Sequence, residues 1–551
     1  MIHKRRRLSA LLIAIPIIAG SITLYYVFGN GLMTDLANRG NSRLTTTGWQ
    51  SAQAEMLNAE PEYGTKFAYY KLQEGQSLAW VASHFSVSIT KLEHLNPGAT
   101  LPGTTIIVPP VERQLAPFPI TESNEAGIVV TEANGNIYAR NRFINKEAKV
   151  TLPQLMKILQ PQGVISQLGP KSYIVNKPLY IQDNIRVDIT SETVDTLYLR
   201  SSPKFDVTTL TFQNSQVLIK GVAISSLDPA SNKPDTDSRD GRGFLRAYES
   251  ARMDIIDSKA SNLGMTLEHI RDPVIRAKIP FIGQGGVYGV SWRISSGTFG
   301  SNIATGWVEN STFENNHIGA FTFGASGMMW RKNVFSTNEV YGLDPHDDSN
   351  NATIEFNKFI ANGKHGFIVS KRCNYNVIKD NVSINNAGHG FMLHEKSDYN
   401  IMRNNISIAN HDNFVIYGSS FNKISHNKSY NALGSQIRIN QASVQNYVQD
   451  NLLYGGKKGV YLYGGINGAE VSGNTFVDVT YQLSTRGATR VLYTGNISTA
   501  LGYQVSASDR VVFGVNTINN HSAIDLKPLE MLSSAKARSL NLTNSSAGRT
   551  N

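Results

Sequence analysis

One cysteine, Cys373, has to serve a chain of 551 residues. It excludes an intrachain disulfide framework and any thiolate metal cage, and it reads as a structural thiol rather than a nucleophile. No HExxH pair and no three-histidine spacing occurs, so a zinc-type centre has no support, although surface carboxylates leave Ca²⁺ open. Charged residues make up only 17% of the chain against 41% apolar, which makes a globular multi-domain protein with ample core. The 46 glycines fall far short of a collagen pattern. Net charge is +10, but Lys4 to Arg7 supply four of those charges, so the excess over the rest is modest.

Charge is absent altogether from Leu8 to Phe28, a run close to the ~20 residues that cross a bilayer. Its basic flank, residues 1–7, belongs in the cytoplasm by the positive-inside rule. No small-x-small cleavage site follows, which favours a retained anchor at 8–28 over a removed signal. The remainder then lies outside the cytoplasm, in a bacterium the periplasm, where nucleic acid is a poor partner. Residues 29–64 read as a linker. Residues 65–112 read as strand (Phe67 to Leu72), glycine turn, helix from Ser77, second helix from Ser88 to Leu95, and closing strand Thr104 to Val108. With Leu95-Asn96-Pro97-Gly98 and Ile106-Ile107-Val108-Pro109, this stretch resembles a lysin motif, a small α+β domain. The resemblance implies binding of N-acetylglucosamine polymers such as peptidoglycan.

The rest of the chain carries a repeat. Asn310, Asn333, Asn357, Asn381, Asn405, Asn427, Asn451, Asn474 and Asn496 recur at steps of 22 to 24 residues. Gly319, Gly342, Gly366, Gly390 and Asn413 keep the same beat. A period in the low twenties built from short β-like runs predicts an all-β parallel β-helix over 173–520, because one coil cannot bury its inner face without its neighbours. Asparagine tolerates the left-handed conformation and suits the corners. Residues 113–172 read as a connector with a helical piece at Leu152 to Leu159, Asp228 to Arg242 as an exposed insertion, and 521–551 as a tail.

Aligning coils on the glycines places His346, Ser370, His394 and Tyr417 in one outward column, and Asp347, Lys371 and Glu395 in the next. Phe391 and Leu393 then point inward. Asp344 and Asp347 flank His346 and can fix its tautomer. A base, a cation and a second acid or base thus share one face. Such a set suits abstraction of the C5 proton of a uronic acid, where a cation on the neighbouring carboxylate lets negative charge delocalise into it. Reprotonation from the other face gives an epimerase, and expulsion of the C4 oxygen gives a lyase. A glycan-binding protein without catalysis is the third reading.

Val340 to Asp347, with Asp344-Pro345-His346-Asp347, resembles the Asp-Pro-His-Asp signature of bacterial mannuronan C5-epimerases of the periplasmic type. Gly243 to Ala247, Tyr288 to Ser291 and Lys364 to Ser370 extend the match. The resemblance implies conversion of β-D-mannuronate to α-L-guluronate within polymeric alginate, without a cofactor. His346 would be the base, Tyr341 the acid, and Lys371 or Arg372 the carboxylate neutraliser. Asp344, Asp347, His365 and His394 would contact substrate. The family has arginine directly after the serine matched by Ser370 and aspartate at the position of His394.

Overall fold

The computed structural model describes residues 68–72, 77–84, 89–96, 104–108, and 127–518 apart from breaks at 144, 203–206, 240, 267–287, 296–301 and 501, together with Pro528 and Met531. The expected anchor at 8–28, the linker and almost all of the tail lie outside the described residues. Among the described residues no helix is long and apolar enough to cross a membrane. The chain divides into two compact units, Met1–Glu112 and Arg113–Asn551.

In the first unit, Ala68–Lys71 pairs antiparallel with Thr105–Val108. Helices Leu78–His84 and Ile89–Leu95 connect them. Leu72, Val81, Ala82, Leu92, Ile106 and Val108 close a small core. The strands and helices fall where the apolar pattern puts them.

The second unit is a parallel β-helix. Three sheets of 15, 14 and 16 strands run along it, and neighbouring strands come from successive coils. A typical coil consists of Leu343–His346, Thr353–Glu355 and Lys358–Ile360 before Phe367–Ser370 begins the next. Leu343, Phe367, Phe391 and Phe414 stack in register and are fully buried. Phe313, Phe335 and Phe359 stack along another face with centroids 4.9 and 5.3 Å apart. Repetition lets identical rings pack face to face, so one aromatic per coil builds a continuous core.

Asparagines hold the coils at fixed spacing. Asn333 donates its backbone N–H to Asn357 Oδ1 at 2.9 Å, and its side-chain amide to Val308 O at 2.9 Å and Asn357 Oδ1 at 3.0 Å. The same pattern runs through Asn381, Asn405, Asn427, Asn451, Asn474 and Asn496. Asn310 is not part of it: Ser311 gives its N–H to Asn333. The left-handed residue is the one before each ladder position, as at Asn310 (φ 49°), Lys332 (55°), Phe356 (57°) and Asp380 (57°). The asparagine therefore serves as a buried amide rung rather than as the corner itself. A second ladder, Asn316, Asn338, Asn362, Asn386 and Asn410, runs parallel to the first.

Parallel pairing begins earlier than residue 173. Asn136–Asn141 pairs with Leu179–Gln182, and Ala148–Thr151 with Ile185–Thr190. From residue 127 on, the supposed connector is thus the first coil, its period hidden by the antiparallel hairpin Ile128–Ala133 with Asn136–Asn141. Helix Leu152–Ile158 buries Leu152 and Leu155 in the main core, and Thr151 N–H donates to Gln154 Oε1 at 2.8 Å to start it. The insertion Asp228 to Arg242 is exposed over 229–234, but Arg242 is buried and donates to Gly264 O at 2.7 Å and Asn315 O at 3.0 Å.

Candidate active site

The sheet containing Leu343–His346 presents two outward columns. One runs Phe321, Asp344, Ile368, Met392, Val415; the other runs Phe323, His346, Ser370, His394, Tyr417. At the end of these strands the chain turns through paired left-handed residues, Asp347 and Asp348, then Lys371 and Arg372, then Glu395 and Lys396. Left-handed geometry costs a non-glycine residue roughly 1–2 kcal/mol. Here it sets a file of charged side chains beside the His346 column. At the opposite strand ends a Cβ on Gly342 would clash with Gly366 O of the next coil, and one on Gly366 with the side chains of Ser383 and Asn386.

His346 is about a quarter exposed, and its Nδ1 lies 2.6 Å from Asp347 Oδ2. The carboxylate holds the proton on Nδ1, so Nε2 carries the free lone pair. Burial lowers the imidazole pKa below its ordinary 6.5, against the pull of Asp347 and with help from Lys371 and His394. Arg372 binds Asp347 Oδ1 and Asp348 Oδ2, both at 2.8 Å. Lys371, one position earlier, forms no ion pair among the described residues, yet its charge acts on Asp344, His346 and His394. The two cations named as alternatives in the sequence are thus placed differently. Arg372 braces the aspartates, and Lys371 stays available.

Asp344 faces outward by register but is only 3% exposed, and its Oδ1 has no hydrogen-bond partner among the described residues. Burial, then repulsion from Asp347, raises its carboxyl well above the usual range. Tyr341 precedes the strand Leu343–His346, at the opposite end from His346, and its phenol is raised by burial and by Asp344. Its ring stacks on His365 at 5.2 Å, and His365 stacks on His389 at 4.7 Å. His365 Nδ1 accepts the His389 backbone N–H at 2.9 Å, and burial depresses its pKa to about 3. His365 is therefore a neutral wall beside Tyr341. His394 stacks on Tyr417 at 4.9 Å, 3.7 Å from Glu395.

Two residues here carried no role in the sequence reading. The Tyr288 ring lies 4.0 Å from Phe321, its phenol pushed up to about 12 by burial, with Asp344, Asp347 and Tyr341 also acting on it. Arg293, 3% exposed, lies 5.1 Å over the Phe323 ring. Both lie beyond a long insertion that breaks the period, so column arithmetic from the asparagines does not reach them.

Residues 290–407 and 347–476 match the family model described as a right handed beta helix region. The mannuronan C5-epimerase AlgG of Azotobacter vinelandii is 40% identical over 150 residues, 27% of this chain and 28% of that protein. The mannuronan C5-epimerase of Pseudomonas putida is 24% identical over 320 residues, 57% of this chain and 58% of that protein. The chain thus spans less than two thirds of the length of these relatives. A crystal structure of the periplasmic alginate epimerase AlgG superposes with a TM-score of 0.54 at 17% identity, covering 87% of this chain and 100% of that one. The β-helix fold is shared.

Proposed function

We propose that this chain is a mannuronan C5-epimerase acting on polymeric alginate. The observation that carries the reading is the assembly on one face of His346, oriented by Asp347 at 2.6 Å, and Lys371 of the following coil, which forms no ion pair among the described residues. In this reading Lys371 neutralises the C5 carboxylate while His346 Nε2 takes the C5 proton. The carbanion charge spreads into that carboxylate, which the cation stabilises more strongly as charge builds up. Tyr341, from the opposite end of the strand, returns a proton to the other face and inverts C5. Arg372 fixes Asp347 and so the His346 tautomer. No cofactor is invoked. The similarity to mannuronan C5-epimerases supports inversion over elimination, since elimination would use nearly the same groups. Incubation with polymannuronate in D₂O tests it: deuterium entering C5 with guluronate signals and no chain shortening is the expected result, whereas unsaturated ends absorbing in the ultraviolet would make the protein a lyase.

The strand-helix-helix-strand order of the first unit supports a lysin motif that holds an N-acetylglucosamine polymer. With Leu8 to Phe28 as a membrane anchor, the enzyme would work at the periplasmic face of the envelope. Retention on peptidoglycan, lost when residues 65–112 are deleted, is the expected observation.

A further inference from the structure

The outward column that holds His346 does not stop at Tyr417. It continues through Asn440 and Tyr463 to Arg486, with Arg438 and Tyr461 in the column beside it. Tyr461 and Tyr463 project from the same face two residues apart, and their rings stack at 4.5 Å and 25°. Lys458 Nζ lies 3.6 Å from the Tyr461 centroid. Both rings are half-buried, and Arg486 and Lys457 are exposed. Among the described residues none of Lys457, Lys458 and Arg486 is in an ion pair, so this end of the sheet is a cationic patch around an aromatic pair. Tyr463 lies five strands beyond His346, about 24 Å at the usual strand spacing.

We infer that Tyr461 and Tyr463, with Lys458 and Arg486, form a distal binding platform for an anionic polysaccharide whose reacting unit lies at His346. A pyranose ring offers an apolar C–H face that packs on the π face or edge of a tyrosine, and the cations meet the carboxylates carried by each uronate. Continuity of one sheet face between the two places lets a single chain lie over both. The platform makes affinity depend on chain length: a long polymer engages both places, a short oligomer only the first. The inference rests on the epimerase reading for the identity of the polymer, but not for the existence of the surface.

The test measures binding rather than turnover, using the full chain with His346→Asn so that the polymer stays unchanged. Titration with polymannuronate, a mannuronate trisaccharide too short to span both places, and an uncharged glucan gives three dissociation constants. In Tyr461→Ala/Tyr463→Ala we expect Kd for the polymer to rise about tenfold, and that for the trisaccharide to stay constant. Tyr461→Phe/Tyr463→Phe keeps the rings and should restore polymer affinity. Lys458→Gln/Arg486→Gln, which leaves the aromatic pair intact, should weaken polymer binding and flatten its salt dependence. Unchanged polymer affinity in Tyr461→Ala/Tyr463→Ala or in Lys458→Gln/Arg486→Gln, or equal affinity for the glucan, would overturn the platform. Polymer binding by a wild-type chain that exchanges no C5 proton would sink the epimerase reading and leave the platform standing.

Discussion

Replacing Lys371 with alanine removes a cation beside His346 that has no ion-pair partner among the described residues, and the size of the loss follows from where its charge is needed. A full charge about 4 Å from a carboxylate is worth roughly 4 kcal/mol at the effective dielectric of a protein surface. The substrate carboxylate carries one charge on binding and close to two as the C5 proton leaves. Half of the benefit thus belongs to binding, which other contacts along the polymer share, and the added half belongs to the transition state. Removing a comparable electrostatic stabiliser lowers kcat by about 10²–10³, with a smaller change in KM. Arg372→Ala is the control. Its guanidinium is 47% exposed and already holds Asp347 and Asp348, so its removal loosens the His346 tautomer and lowers kcat by about tenfold or less. Initial rates of deuterium entry at C5, followed by proton NMR at saturating polymannuronate, give both numbers. Lys371→Ala within tenfold of wild type, or Arg372→Ala the slower of the two, would refute the division of labour.

Three further outcomes are expected. His346→Asn abolishes C5 exchange, and in wild type kcat/KM should rise with pH on an acid limb whose midpoint lies below 6.5, because burial favours the neutral imidazole that acts as base; a midpoint above 6.5 would contradict this. Tyr341→Phe should stop guluronate formation while leaving polymer affinity intact; unchanged turnover would assign the returning proton to water. Asn357→Ala removes the acceptor for Asn333 N–H and the donor to Trp330 O, each at 2.9 Å. Two buried backbone groups then lose partners at roughly 1–3 kcal/mol each, so the urea midpoint falls well below that of Asn310→Ala, whose side chain is exposed and outside the ladder.

The period of the asparagines and glycines is a property of the sequence alone, because a stacked coil must place equivalent residues at equivalent intervals. From it came the β-helix, the inward Phe391 and Leu393, and the column His346, Ser370, His394 and Tyr417, all of which the register reproduces. Where insertions stretch the interval the arithmetic fails, so it reaches neither the first coil nor a role for Tyr288 and Arg293. Nor could spacing say which of two adjacent residues takes the left-handed corner and which the rung, as Asn310 and Ser311 show. The difference between Lys371 and Arg372 was decided in three dimensions: both stand at a left-handed corner, but only one of them reaches the aspartates of the coil before it. Likewise the sequence marks Asp344 as polar and outward, and only the side chains packed over it make it a buried carboxyl whose pKa is raised well above the usual range. Periodicity fixes which residues become neighbours along the helix axis; burial and pairing, which set charge and availability, depend on everything packed around them.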